Sequence, residues 1–335
     1  MRLTFLGTAA GLPAKNRNVS ALILALDDSR KWYLIDCGEG TQQQLLGCGY
    51  TLTNLQAIFI THVHGDHMFG LPGLITTAAM QGRTKSLTIC APEFVERFVR
   101  TALECADSSE LPFTLEFIRS DRPDFLYQTD DFVVTSHELS HRVPSYAYAF
   151  EEKPNPPPLS PARLTALNIP QGPLWGTLQQ GRSITLKNGE TITPEMVRET
   201  APKPRFVVIG GDNDQPSLLH HLLTHADLLV HEATFTTDVL KKSGGKYMHS
   251  SAELVGQAAE QAGLGHLILT HFSNRYSSAH SKNAKKGTAT LADLYDEAKA
   301  VYSGNLVMAR DMGCWQLKKD RSLIACPSTA RKDGS

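Results

Sequence analysis

Short apolar runs alternate with polar breaks along the chain. Residues 3–6, 21–26 and 32–35 are such runs, bounded by Gly, Asn, Asp or Ser, and 57–60 is another that ends directly in Thr61-His62; this pattern predicts strands. A further strand is predicted at 87–90, and helices at 41–46, 71–80 and, after Pro92, 93–106. Runs at 132–135 and 146–150 predict a hairpin around 137–144. Strand patterns return at 205–209, 228–230 and 267–269, with helical spacing over 251–262. Several of these strands end in a residue able to bind a metal: His62, Asp212, His231 with Glu232, and His271. In layered α/β folds function collects in the loops leaving the strand ends.

The pattern breaks in the middle. Residues 153–161 hold five prolines, and a Gly/Pro-marked stretch follows at 170–181. Residues 154–200 therefore read as an inserted arm outside the core. From Lys153 to Arg205 there are seven basic and three acidic residues, a local surplus in a nearly neutral chain. The end of the chain from 328 is polar, and 318–335 reads as a loose C-terminal tail.

With 335 residues, 41% hydrophobic and 20% charged, the chain can bury a sizeable core, which excludes wholesale disorder. The 33 basic and 34 acidic residues exclude a protein that holds nucleic acid by bulk charge, though not one with a basic face. Six scattered cysteines form no CxxC pair and read as small buried hydrophobes in a reducing compartment. No signal-peptide core or bilayer-length apolar run is apparent, so the expectation is a soluble cytoplasmic protein without a membrane partner. Glycines at 38–40 and 7–11 complete neither a dinucleotide fingerprint nor a phosphate loop, so no nucleotide cofactor is expected.

The chemistry concentrates in His62-Val63-His64-Gly65-Asp66-His67. Positions two apart on an extended chain point the same way, so His62 and His64 can share one metal. A tight turn at Gly65 can swing Asp66 and His67 toward a neighbouring one. Imidazoles with a carboxylate suit Zn²⁺, with Mn²⁺ or another divalent ion as alternatives. Two metals need a bridging carboxylate, and Asp212, behind a strand and a Gly-Gly pair, is the best candidate. His141 and His271 are the best outer ligands. His137 and Asp214 are weaker rivals, while His220, His221, His225, His266 and His280 read as surface residues.

THVHGDH at 61–67 resembles the signature of the metallo-β-lactamase superfamily, which implies a four-layer αβ/βα sandwich with two metals at its edge. Pro13 to Asn18 resembles the PxKxRN loop of the ribonuclease Z family, the tRNA 3′-end processing endonucleases. His231 to Thr234 and His249 to Ser251 match that family's HEAT and HS[ST] motifs, and Gly172-Pro173 falls where bacterial members carry a flexible arm. The resemblance covers 1–317 as a single domain in the short, bacterial-type form. It implies that His62, His64, His141 and Asp212 hold one zinc, and Asp66, His67, Asp212 and His271 the other. Asn213 stands where the family usually has Thr.

The implied reaction is metal-dependent hydrolysis that removes the 3′ trailer from a tRNA precursor and leaves a 3′-hydroxyl. In it Asp66 is the expected general base and His249 the general acid, with Glu232 orienting and charging the imidazole. Lys15, Arg17, Asn18, Gly172, Pro173 and Arg275 are the expected RNA contacts. Lys282, Lys285 and Lys286 extend a basic stretch with no acidic residue between Phe272 and Thr290. The resemblance also implies a homodimer. The competing readings are another hydrolase of this fold, acting on a small phosphodiester or thioester, and a catalytically silent RNA-binding scaffold.

Overall fold

The computed structural model describes all residues except 28, 155, 201–202, 278–288 and 328–335. His280, Lys282, Lys285, Lys286 and the end of the expected tail lie outside the described residues. The described chain divides into two units, one of Met1–Glu151 with Arg205–Ser335 and one of Glu152–Pro204.

The first unit is built on two sheets. One has eight strands, running in space from Leu323–Ala325 through Cys314–Leu317, Arg2–Gly7, Ala21–Ala25, Trp32–Ile35, Leu55–Phe59 and Leu87–Ala91 to Leu115–Arg119. The other has seven, from Asn305–Met308 through His266–Thr270, Leu228–Glu232, Phe206–Ile209, Ser145–Glu152 and Phe132–Leu139 to Leu126–Gln128. Ala21–Ala25, Trp32–Ile35 and Phe206–Ile209 are apolar at every position because both faces are covered. On Trp32–Ile35, Tyr33 and Ile35 enter the core shared with the second sheet. Trp32 and Leu34 instead pack beneath the helices that hold Leu74 and Val99. Val207 and Ile209 meet the shared core from the other side, while Val208 faces the layer of helices that carries Val255 and Leu294. The layers are therefore helix, sheet, sheet, helix, the metallo-β-lactamase fold.

The parallel strands set the site. Trp32–Ile35 and Leu55–Phe59 run parallel in one sheet, and Phe206–Ile209, Leu228–Glu232 and His266–Thr270 run parallel in the other. Each leads to a residue of the centre or of the shell around it: Asp36, His62, Asp212, Glu232 and His271.

Four expectations need correction. The segment after 317 is not wholly a loose tail: Leu323–Ala325 pairs antiparallel with Cys314–Leu317. It is anchored further by His266 Nε2, 2.6 Å from the Arg321 carbonyl, so His266 is not a plain surface residue. Cys314 and Cys326 are not isolated thiols but a disulfide across that pair. The second unit is not simply an irregular, flexible insertion. It contains the helices Pro161–Ala166, Pro173–Gln179 and Pro194–Val197, a small hairpin, and its own core of Leu164, Ile169, Leu178, Ile184, Ile192 and Val197. Of the prolines that looked like breaks, Pro161 and Pro173 sit at first turns of these helices, as does Pro194, where a missing N–H costs nothing.

Candidate metal centre

Leu55–Phe59 delivers Ile60-Thr61-His62 to the sheet edge, and His64 precedes the short helix Gly65–Met68 that carries Asp66 and His67. His141 follows Phe132–Leu139, Asp212 follows Phe206–Ile209, and His271 follows His266–Thr270. These side chains form two groups. In the first, His62 Nε2 is 3.1 Å from His64 Nδ1, which is 3.2 Å from His141 Nε2. Asp212 Oδ2 lies 3.4 Å from His62 Nε2 and 3.7 Å from His141 Nε2. In the second, His67 Nε2 and His271 Nε2 are 3.2 Å apart. Asp212 Oδ1 is 3.4 Å from each, and Asp66 Oδ2 is 3.5 and 3.3 Å from them.

Three imidazole nitrogens facing one another cannot all be hydrogen-bonded. Ligand atoms about 2.0–2.1 Å from a tetrahedral ion stand ~3.3–3.4 Å apart, close to the separations in both groups. Asp212 gives one oxygen to each group, as a bridging carboxylate does. The donor set therefore fits two divalent cations. Burial and the facing imidazoles of His62 and His141 push His64 down to about 4, leaving it neutral and able to donate a lone pair. Burial opposes a charge on His67, but Asp212, Asp66 and Asp36 outweigh it and raise its affinity for a proton. The same carboxylates supply the attraction for a cation.

A surrounding shell fixes the rings, and here residues not singled out in the sequence matter. Asp36, directly after Trp32–Ile35, lies 2.6 Å from His67 Nδ1 and accepts from the Thr61 backbone N–H at 2.8 Å. His141 Nδ1 donates to the Met248 carbonyl at 2.8 Å, and His271 Nδ1 is 2.9 Å from Thr234 Oγ1. Such partners set tautomer and orientation. Asp36, Met248 and His271 have φ of 57°, 51° and 57°, left-handed values that cost a non-glycine residue about 1–3 kcal/mol and cluster at functional sites. The signal for Asp36 was present: an acidic residue directly behind an apolar strand, like Asp212. Gly65 does not need a left-handed turn. A side chain there would collide with the Phe69 ring, 2.3 Å from the Cβ position.

His249 Nδ1 is 2.9 Å from Glu232 Oε1 and 3.8 Å from Asp212 Oδ2. Burial lowers its proton affinity, but the Glu232 and Asp212 carboxylates outweigh this and raise it to about 9. Glu232 is buried and also accepts from the Asn213 N–H at 3.0 Å and from the Thr234 hydroxyl. Asn213 itself is buried. Its Oδ1 accepts from Ser140 N at 3.2 Å and Gln215 N at 3.0 Å, and its Nδ2 lies 3.0 Å from His231 Nε2.

The remaining candidates separate. Arg17 turns inward, donating to the Tyr276 carbonyl at 2.7 Å, and Asn18 Nδ2 donates to the Glu39 carbonyl at 2.9 Å. Lys15 is exposed. Arg275 is exposed with its guanidinium 5.1 Å above the Phe235 ring, which lies 5.8 Å from His249. Gly172 and Pro173 are exposed at the start of a helix of the second unit. His137 stands apart, 2.9 Å from Thr135, with its ring 5.4 Å from that of His221 and tilted by 57°. Asp214 joins neither group. An open cleft of about 480 Å³ leads to the centre.

Two facing sheets with a His/Asp centre at one edge define a metal-dependent hydrolase of the metallo-β-lactamase superfamily. A family model described as Anti-Pycsar protein Apyc1 matches residues 1–142. The chain is 45% identical over 323 residues to a ribonuclease Z of Marinobacter nauticus, covering 96% of this chain and 98% of the relative. It is 43% identical over 325 residues to a ribonuclease Z of Pseudomonas putida, covering 97% and 99%. The human short-form tRNase Z shares the fold, with a TM-score of 0.63, 24% identity, and coverage of 95% and 100%. The chain belongs to the ribonuclease Z family.

Proposed function

We propose that this enzyme removes the 3′ trailer of tRNA precursors by hydrolysing one phosphodiester and leaving a 3′-hydroxyl on the tRNA. The observation that carries the reading is the Asp212 carboxylate dividing its oxygens between two histidine groups, with the Glu232–His249 pair beside them. His62, His64, His141 and Asp212 would hold one zinc; Asp66, His67, Asp212 and His271 would hold the other. Bound there, the two cations supply a water acidified toward neutrality and positive charge against the phosphate oxygens.

The chain's own groups handle the protons. Asp66, held ionised by its contacts with His67 and His271, accepts the proton of the attacking water. His249, protonated at neutral pH, donates from Nε2 to the O3′ that leaves. Glu232 fixes the ring through Nδ1 and stabilises its positive charge. Lys15 and Arg275 are the exposed cations we assign to RNA phosphates, whereas Arg17 and Asn18 act by shaping their loop. The 152–204 unit, with Gly172-Pro173, is assigned to holding the tRNA body. We further read the enzyme as a cytoplasmic homodimer.

The test is cleavage of a precursor tRNA bearing a 3′ trailer, with zinc and after chelation. The expected result is a cut after the discriminator base that vanishes on chelation and returns with metal. Absence of that cut, with metal bound and a small phosphodiester still hydrolysed, would reassign the substrate to the small-molecule class.

A further inference from the structure

Phe69 is out of place for an ordinary aromatic residue. It follows the ligands Asp66 and His67 by three and two positions, yet it is 57% exposed and lines the cleft that leads to them. It is not loose. One part of its ring presses on the backbone of Gly65, where a Cβ would meet it at 2.3 Å, and the Phe98 ring lies 5.6 Å away at 31°. A fixed phenyl with a solvent-facing surface beside a charged centre contributes little to the core. The same ring also borders an adjoining cleft of about 530 Å³, which continues past Gln42 and Gln81.

Resting on the nuclease reading above, we propose that Phe69 is a stacking platform for the unpaired base next to the scissile phosphate. Single-stranded RNA is commonly held by splaying its bases onto aromatic side chains. A π-face accepts any base, which suits a trailer of varying sequence. The helix Gly65–Met68 would then set two things at once: the positions of Asp66 and His67, and the distance from them to the stacked base.

The experiment compares wild type with Phe69→Leu and Phe69→Tyr on a precursor tRNA with a short trailer. The RNA is either intact or carries an abasic nucleotide on one side of the cut or the other. Metal content and hydrolysis of bis(4-nitrophenyl) phosphate are measured in parallel. Base–aromatic stacking is worth a roughly 5- to 150-fold change, so F69L should raise KM for intact RNA by that factor, with F69Y close to wild type. The F69L penalty on RNA should exceed that on the small ester at least several-fold. One of the two abasic substrates should weaken wild type by the same factor and erase the F69L penalty. The proposal fails if F69L matches wild type, if its penalty persists on both abasic RNAs, or if it loses metal or activity on both substrates alike. A wild-type enzyme that leaves precursor tRNA uncut would overturn the nuclease reading together with this one; cleavage indifferent to Phe69 would overturn this one alone.

Discussion

His249 keeps its two ring nitrogens apart. Nδ1 is committed to Glu232 at 2.9 Å, which leaves Nε2 free for the proton donation proposed above. General acids of this kind contribute about 10²–10⁴-fold. His249→Ala should therefore lower kcat by that order while the protein still binds two metals, as measured by metal analysis; loss of metal would make the residue structural. Asn213 makes a different contribution. Its amide ties the loop before His141 to the buried His231, and its backbone N–H holds Glu232. Asn213→Ala would strand the Ser140 N–H and the His231 nitrogen, at a cost of about 1–3 kcal/mol in denaturant unfolding. The seven proposed ligands were legible because their residue types and strand-end placement are visible in one dimension. Thr234 and the Met248 carbonyl were not, because their role depends on which ring each meets across the centre. The inward turn of Arg17, expected as an RNA contact, was hidden for the same reason: the Tyr276 carbonyl that accepts from it lies far away in sequence.

Elements differed in legibility according to how much of their signal is local. The apolar strands around Trp32–Ile35 and Phe206–Ile209 announce themselves because both faces are buried. Cys314–Leu317 and Leu323–Ala325 are short and half-buried, and the pair joins the sheet only through Arg2–Gly7, far away in sequence. The helix Leu291–Val301 did carry a local mark, the Thr290/Asp293 capping box, which a search for that spacing would have found. The 152–204 unit was hidden by its prolines, yet its buried side chains make a core that orders it. Deleting residues 155–200 should weaken binding of precursor tRNA, measured by gel shift, far more than it slows hydrolysis of a small phosphodiester. Unchanged tRNA affinity would end the assignment of that unit to RNA.

At the scale of the whole molecule, the end of the two-sheet unit remote from the metal centre is held by charge. Asp27 follows Ala21–Ala25, a strand antiparallel to its neighbour Trp32–Ile35 and so leading away from the site. Its Oδ2 meets the N-terminal amine at 3.0 Å and Arg205 at 2.6 Å, and its Oδ1 accepts from Gln316 at 2.8 Å. Arg205 directly precedes Phe206–Ile209, whose far end delivers Asp212, so the contact ties one sheet to the other. Burial alone would raise the Asp27 carboxyl, but the hydrogen bonds from Arg205 and the N-terminal amine outweigh it and hold it at about 2. A depressed carboxyl contributes stability above its unfolded value near 3.8, and that contribution is lost as pH falls toward 2. The shift corresponds to roughly 2 kcal/mol. Asp27→Asn should therefore cost about that much in urea unfolding at pH 7. The gap between variant and wild type should close as the pH is taken from about 4 to about 2. Metal content and cleavage should stay at wild-type levels, because Asp27 touches neither ligand group. A gap that held constant down to pH 2 would mean that packing around Asp27, not its charge, joins the two sheets.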